Sequence, residues 1–295
     1  MQVEYWIDDQ HVSFHLDGST EKGAATVLLE SDDNILSGTA WDGPGYCVVP
    51  FLSEPLLADL RAGFARLIRA EVEAAGGRIE GEFCLEKYHR MVTDEQHAAI
   101  IKRTRIGFER HQFPIRLEAV EQRISQICGC ALTVDGANYK GRPFFLRIVR
   151  PNKLQDNNPP HRDVWLDHLR DGVNIYMPVA GSNQLSSLPV LPCSHKWSEQ
   201  EIERSVSGAK IAGLNYTVPT VTSARMPLHM TRPNPAANEV MVFSPYLIHG
   251  GAANLNEDMT RVSLEMRLWR RTPSGCKPAP VPTPSTIHQQ PFVMG

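Results

Sequence analysis

Phe144-Phe-Leu-Arg-Ile-Val149 is the first of four short runs that carry β-branched and aromatic residues between clusters of Gly, Pro, Asn and Ser. The others are Val173-Asn-Ile-Tyr-Met-Pro-Val179, Val240-Met-Val-Phe243 and Val262-Ser-Leu-Glu-Met-Arg-Leu-Trp269. No long amphipathic helix separates them, so the regular strand and helix alternation of a doubly wound sheet is missing. The spacing predicts a mainly β fold of jelly-roll type with helices packed outside it.

Those helices are expected upstream. Gly45-Tyr-Cys-Val-Val-Pro50 reads as a strand, and Ser53-Glu54-Pro55 opens a helix with Ser53 as cap and Pro55 in the first turn. From Leu56 to Ala75 the residues Leu57, Leu60, Phe64, Leu67, Ile68 and Val72 recur at steps of three and four, an amphipathic pattern. Two more helices are expected, around Asp94–Thr104 with Thr93 as cap and around Pro114–Cys128. Val12–Leu16 and Ala25–Glu30 flank the turn-forming Asp17-Gly18-Ser19 and read as an N-terminal hairpin. The segment from Lys277 to Pro291 holds five prolines and is expected to be extended. The whole is read as one domain over 1–295: N-terminal strands and scaffold helices over 1–130, a jelly-roll core over 131–272 and a Pro-rich tail over 273–295.

A chain of 295 residues that is 42% hydrophobic and 21% charged has ordinary globular composition. A net charge of −3 and a pI near 6.4 supply no general attraction for nucleic acid or anionic lipid, which points to a small-molecule partner. Met1–Gln10 contains Glu4, Asp8 and Asp9 and lacks the basic start and apolar run of a signal peptide, so a cytoplasmic location is expected. No apolar stretch reaches the roughly 20 residues of a membrane-spanning helix. The six cysteines are then expected to be reduced, and Cys128-Gly-Cys130 has the wrong spacing for a redox or zinc knuckle.

Chemistry concentrates in Pro160-His161-Arg162-Asp163. In an extended segment residues i and i+2 share a face, so His161 and Asp163 can reach one metal ion. His249 is the expected third ligand: it follows Val240-Met-Val-Phe-Ser-Pro-Tyr-Leu-Ile248 and precedes Gly250-Gly251, where missing side chains let the backbone crowd a site. Two histidines and one carboxylate make the facial triad of non-haem iron(II), which leaves three coordination positions open. Arg261 and Ser263 share a strand face beyond His249, and together they can hold the far carboxylate of 2-oxoglutarate. About one His-x-acid pair is expected by chance in this composition, and His15-Leu16-Asp17 is read as that decoration.

This constellation resembles the phytanoyl-CoA dioxygenase-like branch of the iron(II)- and 2-oxoglutarate-dependent oxygenases. Gly45-Tyr-Cys-Val-Val-Pro-Phe-Leu-Ser53 is similar to that family's strand-then-helix opening, and Ser187-Leu-Pro-Val-Leu-Pro-Cys-Ser-His-Lys196 to the segment between its iron-binding elements. Val242-Phe-Ser-Pro-Tyr-Leu-Ile-His249, Asn254 and Arg261-Val-Ser263 resemble its distal histidine and oxoglutarate strands. One departure is Pro192-Cys193-Ser194-His195, where the family usually has Gly in place of Cys193; His195 is expected to be structural. The resemblance implies a cupin-like double-stranded β-helix and the cofactors Fe(II), 2-oxoglutarate and O2. It also implies oxidation of an unactivated C–H bond with release of succinate and CO2. Because Asp163 is a carboxylate, no ligand position is freed for chloride, and hydroxylation is favoured over halogenation.

Arg147, Arg150, Lys153, Gln155, Asn157 and Asn158 crowd the approach to His161 and suit a polar or anionic substrate. Trp165, two beyond Asp163, walls the same pocket if the strand continues. The competing readings are a sugar-binding or isomerising jelly-roll protein and a zinc hydrolase. A hydrolase has no use for the Arg261 and Ser263 pair at this spacing, and a binding protein has no need of a complete triad.

Overall fold

The computed structural model describes residues 1–271 other than 138, 207, 212 and 213. Its central layer is an antiparallel sheet in the order Tyr46–Pro50, Glu239–Phe243, Gly172–Ala180, Arg261–Arg270 and Leu132–Thr133, with Phe144–Val149 also paired to Arg261–Arg270. All four runs read from the sequence are strands of this sheet.

One face of the sheet carries the main core. Val173, Ile175, Met177, Val240, Val242, Val262, Leu264, Met266 and Leu268 cluster with Leu57, Leu60, Phe64, Ile68 and Val72 of the helix Glu54–Ala74. Burying each such side chain contributes about 1.5–3 kcal/mol, so the helix is held by its apolar stripe. The helix Asp94–Ile106 begins with a capping box, in which Thr93 Oγ1 accepts from Gln96 N at 3.2 Å and Gln96 Oε1 accepts from Thr93 N at 2.9 Å. The helix expected from Pro114 starts at Leu117 and ends where Gly129 takes a left-handed φ of 68°.

The opposite layer is made of shorter pieces. His161 bridges His249, and Val190 bridges both His249 and Thr231. Val221–Ala224, Ile202–Ser205 and Thr20–Lys22 form a further small sheet beside them. Tyr176, Met241, Phe243, Leu188, Val190 and Leu247 fill the space between the layers. The result is a mainly β double-stranded β-helix, a jelly roll, with flanking helices.

The N-terminal hairpin forms, but from Gln2–Ile7 and Gln10–Asp17 rather than from Val12–Leu16 and Ala25–Glu30. Val3, Tyr5 and Ile7 alternate inward from Gln2–Ile7, and Asp8 takes φ 51° in the tight turn that follows. Part of the expected second strand is instead the short helix Leu28–Ser31. The hairpin continues into Ala209–Ile211 and Leu214–Tyr216 on one side and pairs in parallel with His229–Met230 on the other. No described helix is long and apolar enough to cross a membrane. The Pro-rich tail and Cys276 lie outside the described residues.

Candidate metal and co-substrate site

His161, Asp163 and His249 meet between the two layers. Their ligand atoms all lie within 4.8 Å of one another, and all three side chains are buried. His161 Nε2 is 3.3 Å and His249 Nε2 3.8 Å from Asp163 Oδ1. The backbone brings them together directly, because His161 and His249 are paired across the ladder, each amide donating to the other's carbonyl at 2.9 and 3.0 Å.

The outer atom of each side chain is engaged, which leaves the inner atom for a metal. His161 Nδ1 donates to Pro159 O at 2.7 Å and His249 Nδ1 to Leu247 O at 2.9 Å; since a carbonyl only accepts, the neutral form of each ring carries its lone pair on Nε2. Asp163 Oδ2 accepts from Asn174 Nδ2 and from Arg267 Nε, both at 2.9 Å, so Oδ1 is the free oxygen. Burial opposes ionisation of Asp163, but the Arg267 guanidinium and the two imidazoles outweigh it and hold the carboxyl well below its ordinary range. Burial pushes the His249 imidazole down to about 4, with His161 beside it adding to the shift. At neutral pH Asp163 is therefore a carboxylate and His249 a neutral base, the forms a divalent cation requires.

Gly250 and Gly251 make the close packing possible. Both have positive φ, 104° and 66°. A Cβ on Gly250 would lie 2.7 Å from Pro159 O and 2.9 Å from His161 Nδ1, and one on Gly251 2.7 Å from the Tyr5 hydroxyl.

Arg261 and Ser263 are wholly buried at the start of the strand Arg261–Arg270. Arg261 donates to Ser186 O at 2.8 Å and to Asn157 Oδ1 at 3.3 Å, with its guanidinium 5.9 Å from the Tyr176 ring centre. Neither lines the cavity that the triad faces, but Arg261 is joined to its wall through Asn157. Arg261 Nε, Ser263 Oγ and Asn157 Nδ2 are buried donors without a hydrogen-bond partner among the described residues. Groups of this kind are costly unless an acceptor meets them, and a carboxylate supplies the acceptors. Both the donor set of the triad and these three donors thus fit an iron(II) ion and a dicarboxylate.

The remaining candidates divide. Arg147 lines the triad cavity, held in a bidentate pair with Glu265 at 2.7 and 3.0 Å, and Asn157 and Asn158 line it as well. Arg150 and Lys153 point elsewhere, to Asp94 and, for Arg150, to Asp156. Trp165 does not line the cavity. The chain leaves the extended conformation at Asp163–Trp165, a 3-10 turn, and the indole donates to Glu199 Oε2 at 2.8 Å beneath Arg204. His195 is buried against Asp42 O and His15 is a surface group facing Asp17; neither belongs to the triad. Cys193 adopts φ 65°, so the turn keeps the conformation glycine favours. Asn254 donates to Val149 O and Met259 O and ties down the loop before Arg261. Sequence reasoning missed Asn174, Glu265 and Arg267. The last two lie at two-residue steps beyond Arg261 and Ser263, a signal available in the run itself.

The family model of phytanoyl-CoA dioxygenase (PhyH) matches residues 41–263. Among solved structures, EctD from S. alaskensis with 2-oxoglutarate and 5-hydroxyectoine is similar at 16% identity, covering 87% of this chain and 86% of that one with a TM-score of 0.45. AviO1 from Streptomyces viridochromogenes Tue57 is similar at 15% identity over 87% of this chain and 100% of that one, TM-score 0.41. SnoN, a non-heme alpha ketoglutarate dependent epimerase from nogalamycin biosynthesis, is similar at 14% identity over 83% of this chain and 92% of that one, TM-score 0.39. No curated protein matches the chain.

Proposed function

The chain belongs to the phytanoyl-CoA dioxygenase family, whose cofactors are Fe(II), 2-oxoglutarate and O2, and on that premise we propose that it hydroxylates an unactivated C–H bond of a small polar metabolite. The observation that carries the reading is the convergence of His161 Nε2, Asp163 Oδ1 and His249 Nε2 with every outer atom of the three side chains already bonded. In this reading these residues hold the iron, and Arg261 and Ser263, with Asn157, hold the far carboxylate of 2-oxoglutarate. Bound together, iron(II), 2-oxoglutarate and dioxygen supply the oxidising power, with succinate and carbon dioxide as by-products.

The chain's own groups orient and enclose. Arg267 and Asn174 fix the Asp163 carboxylate so that one oxygen faces inward. Arg147 and Glu265 form a paired wall that offers both a donor and an acceptor to a polar substituent, and Phe145, Leu188 and Phe243 keep the rest of the lining apolar. The cavity over the triad measures about 30 Å3, room for one water, so the lining side chains must part to admit a dicarboxylate.

Oxygen uptake by the iron-loaded chain tests this directly. Uptake is expected only with 2-oxoglutarate present and with succinate formed in step. Anaerobic titration of 2-oxoglutarate, followed by the weak visible charge-transfer band, checks the binding step; a metal-loaded chain that binds no 2-oxoglutarate would refute the reading.

A further inference from the structure

A second cavity, about 330 Å3, lies against the triad cavity and shares Asn157 and Asn158 with it as a common wall. Tyr5, Phe14 and His15 of the N-terminal hairpin, Tyr216, Leu154 and Pro159 provide most of the remaining lining. Its size falls at the lower end of the range for small-molecule pockets, and its mixture of aromatic faces with a few amides has the composition of one. Rigid elements frame it. The Tyr5 hydroxyl donates to Gly251 O at 3.1 Å, and the Tyr216 hydroxyl donates to Gln155 O at 3.0 Å.

The hairpin lies outside residues 41–263, so Tyr5, Phe14 and His15 are additions to what the family match covers. They are brought close to the metal site through the glycine pair. Gly250 packs on the His161 ring and Gly251 on the Tyr5 ring, so only one thin stretch of backbone separates the hairpin from the triad. Pro159, whose carbonyl fixes the His161 tautomer, lines the second cavity as well.

We propose that this cavity receives the apolar body of the substrate, an aromatic or alicyclic ring system, whose polar end and reacting carbon pass Asn157 and Asn158 into the triad cavity. The inference rests on the oxygenase reading and revises its small polar metabolite to a compound whose polar end is carried on an apolar ring. The ring stacks among Phe14, Tyr216 and Tyr5, and Asn158 orients the substituent that crosses the wall. The hairpin then determines which compounds are accepted, and the family-matched core supplies the oxidation.

The probe is 2-naphthol, added to the Mn(II)-loaded chain under nitrogen with 2-oxoglutarate present and observed by proton relaxation. Mn(II) is expected to shorten the relaxation of bound 2-naphthol, and a Zn(II)-loaded control is not. Leu154 is 48% exposed at the rim, so Leu154→Trp fills the cavity without disturbing the core, and Phe14→Ala removes a stacking face from the other side. Each variant is expected to weaken 2-naphthol binding by about tenfold or more, a loss of roughly 1.4 kcal/mol or above. Equal affinity in the parent and both variants, or relaxation that does not distinguish Mn(II) from Zn(II), overturns the assignment of the cavity. A parent chain that takes up neither Mn(II) nor 2-oxoglutarate overturns the oxygenase reading beneath it.

Discussion

The strand Arg261–Arg270 has two chemically opposite faces, the apolar one fully buried and the polar one buried at Arg261 and Ser263 and partly buried at Glu265 and Arg267. Val262, Leu264, Met266 and Leu268 join the helix-covered core, whereas Arg261, Ser263, Glu265 and Arg267 alternate onto the other face, where Glu265 meets Arg147 and Arg267 meets Asp163. The apolar face gains free energy from burial alone. The polar face is tolerable only because its groups are paired or await a partner: Glu265 with Arg147, Arg267 with Asp163, Arg261 with Ser186 O and Asn157. Burial by itself therefore does not distinguish the residues of the apolar core from those that face the triad cavity; the direction of the side chain does.

The comparison breaks most sharply at the triad. Asp163→Ala removes the carboxylate on which Arg267 and Asn174 converge, and calorimetry with Mn(II) is expected to show metal binding abolished, as for His161→Ala and His249→Ala. Retained binding in all three, with loss in His15→Ala, would move the site to the N-terminal His-x-Asp pair. Next in size, Leu264→Ala on the apolar face is expected to cost about 2–5 kcal/mol in denaturant unfolding while the folded protein keeps its Mn(II) affinity. A fall in metal affinity there would mean that the two faces are coupled and the division is wrong.

Arg261→Leu sharpens the same contrast from the polar face. Charge-assisted hydrogen bonds contribute roughly 1.5–3 kcal/mol, so 2-oxoglutarate affinity should drop about ten- to a hundredfold with Mn(II) affinity unchanged. Ser263→Ala, which removes one neutral donor, should cost about 0.5–1.5 kcal/mol in the same anaerobic titration. The reverse ranking would assign the carboxylate to the hydroxyl rather than to the guanidinium.

Much of this was legible in the chain, for reasons that can be stated residue by residue. The core strands announce themselves because they are rich in β-branched and aromatic residues, and Thr93 with Gln96 marks a helix start because both partners of the capping box are present. His161, Asp163 and His249 stand out because a metal site would restrict residue type and spacing together, and the fold brings their ligand atoms within 4.8 Å of one another. Trp165 shows where the two-residue rule ends, since it holds only while the backbone stays extended, and the chain turns at Asp163. The strand Gln2–Ile7 was hidden by its mixture of charge and aromatics, although Val3, Tyr5 and Ile7 alternate. Short polar strands such as Ile202–Ser205 and Val221–Ala224 owe their form to neighbours distant in sequence, which no local pattern reveals.

The alternation along Arg261–Arg270 also makes the length of the chain before it a constraint in its own right. A single inserted or deleted residue between Gly251 and Thr260 that shifted the strand by one place would exchange its faces. Arg261, Glu265 and Arg267 would then enter the helix-packed core, and Val262, Leu264 and Met266 would face Asp163 and Arg147. Insertions and deletions in this connection should thus be far less tolerated than substitutions, even at positions whose side chains touch nothing essential, because what is conveyed from His249 to Arg261 is a count of residues modulo two.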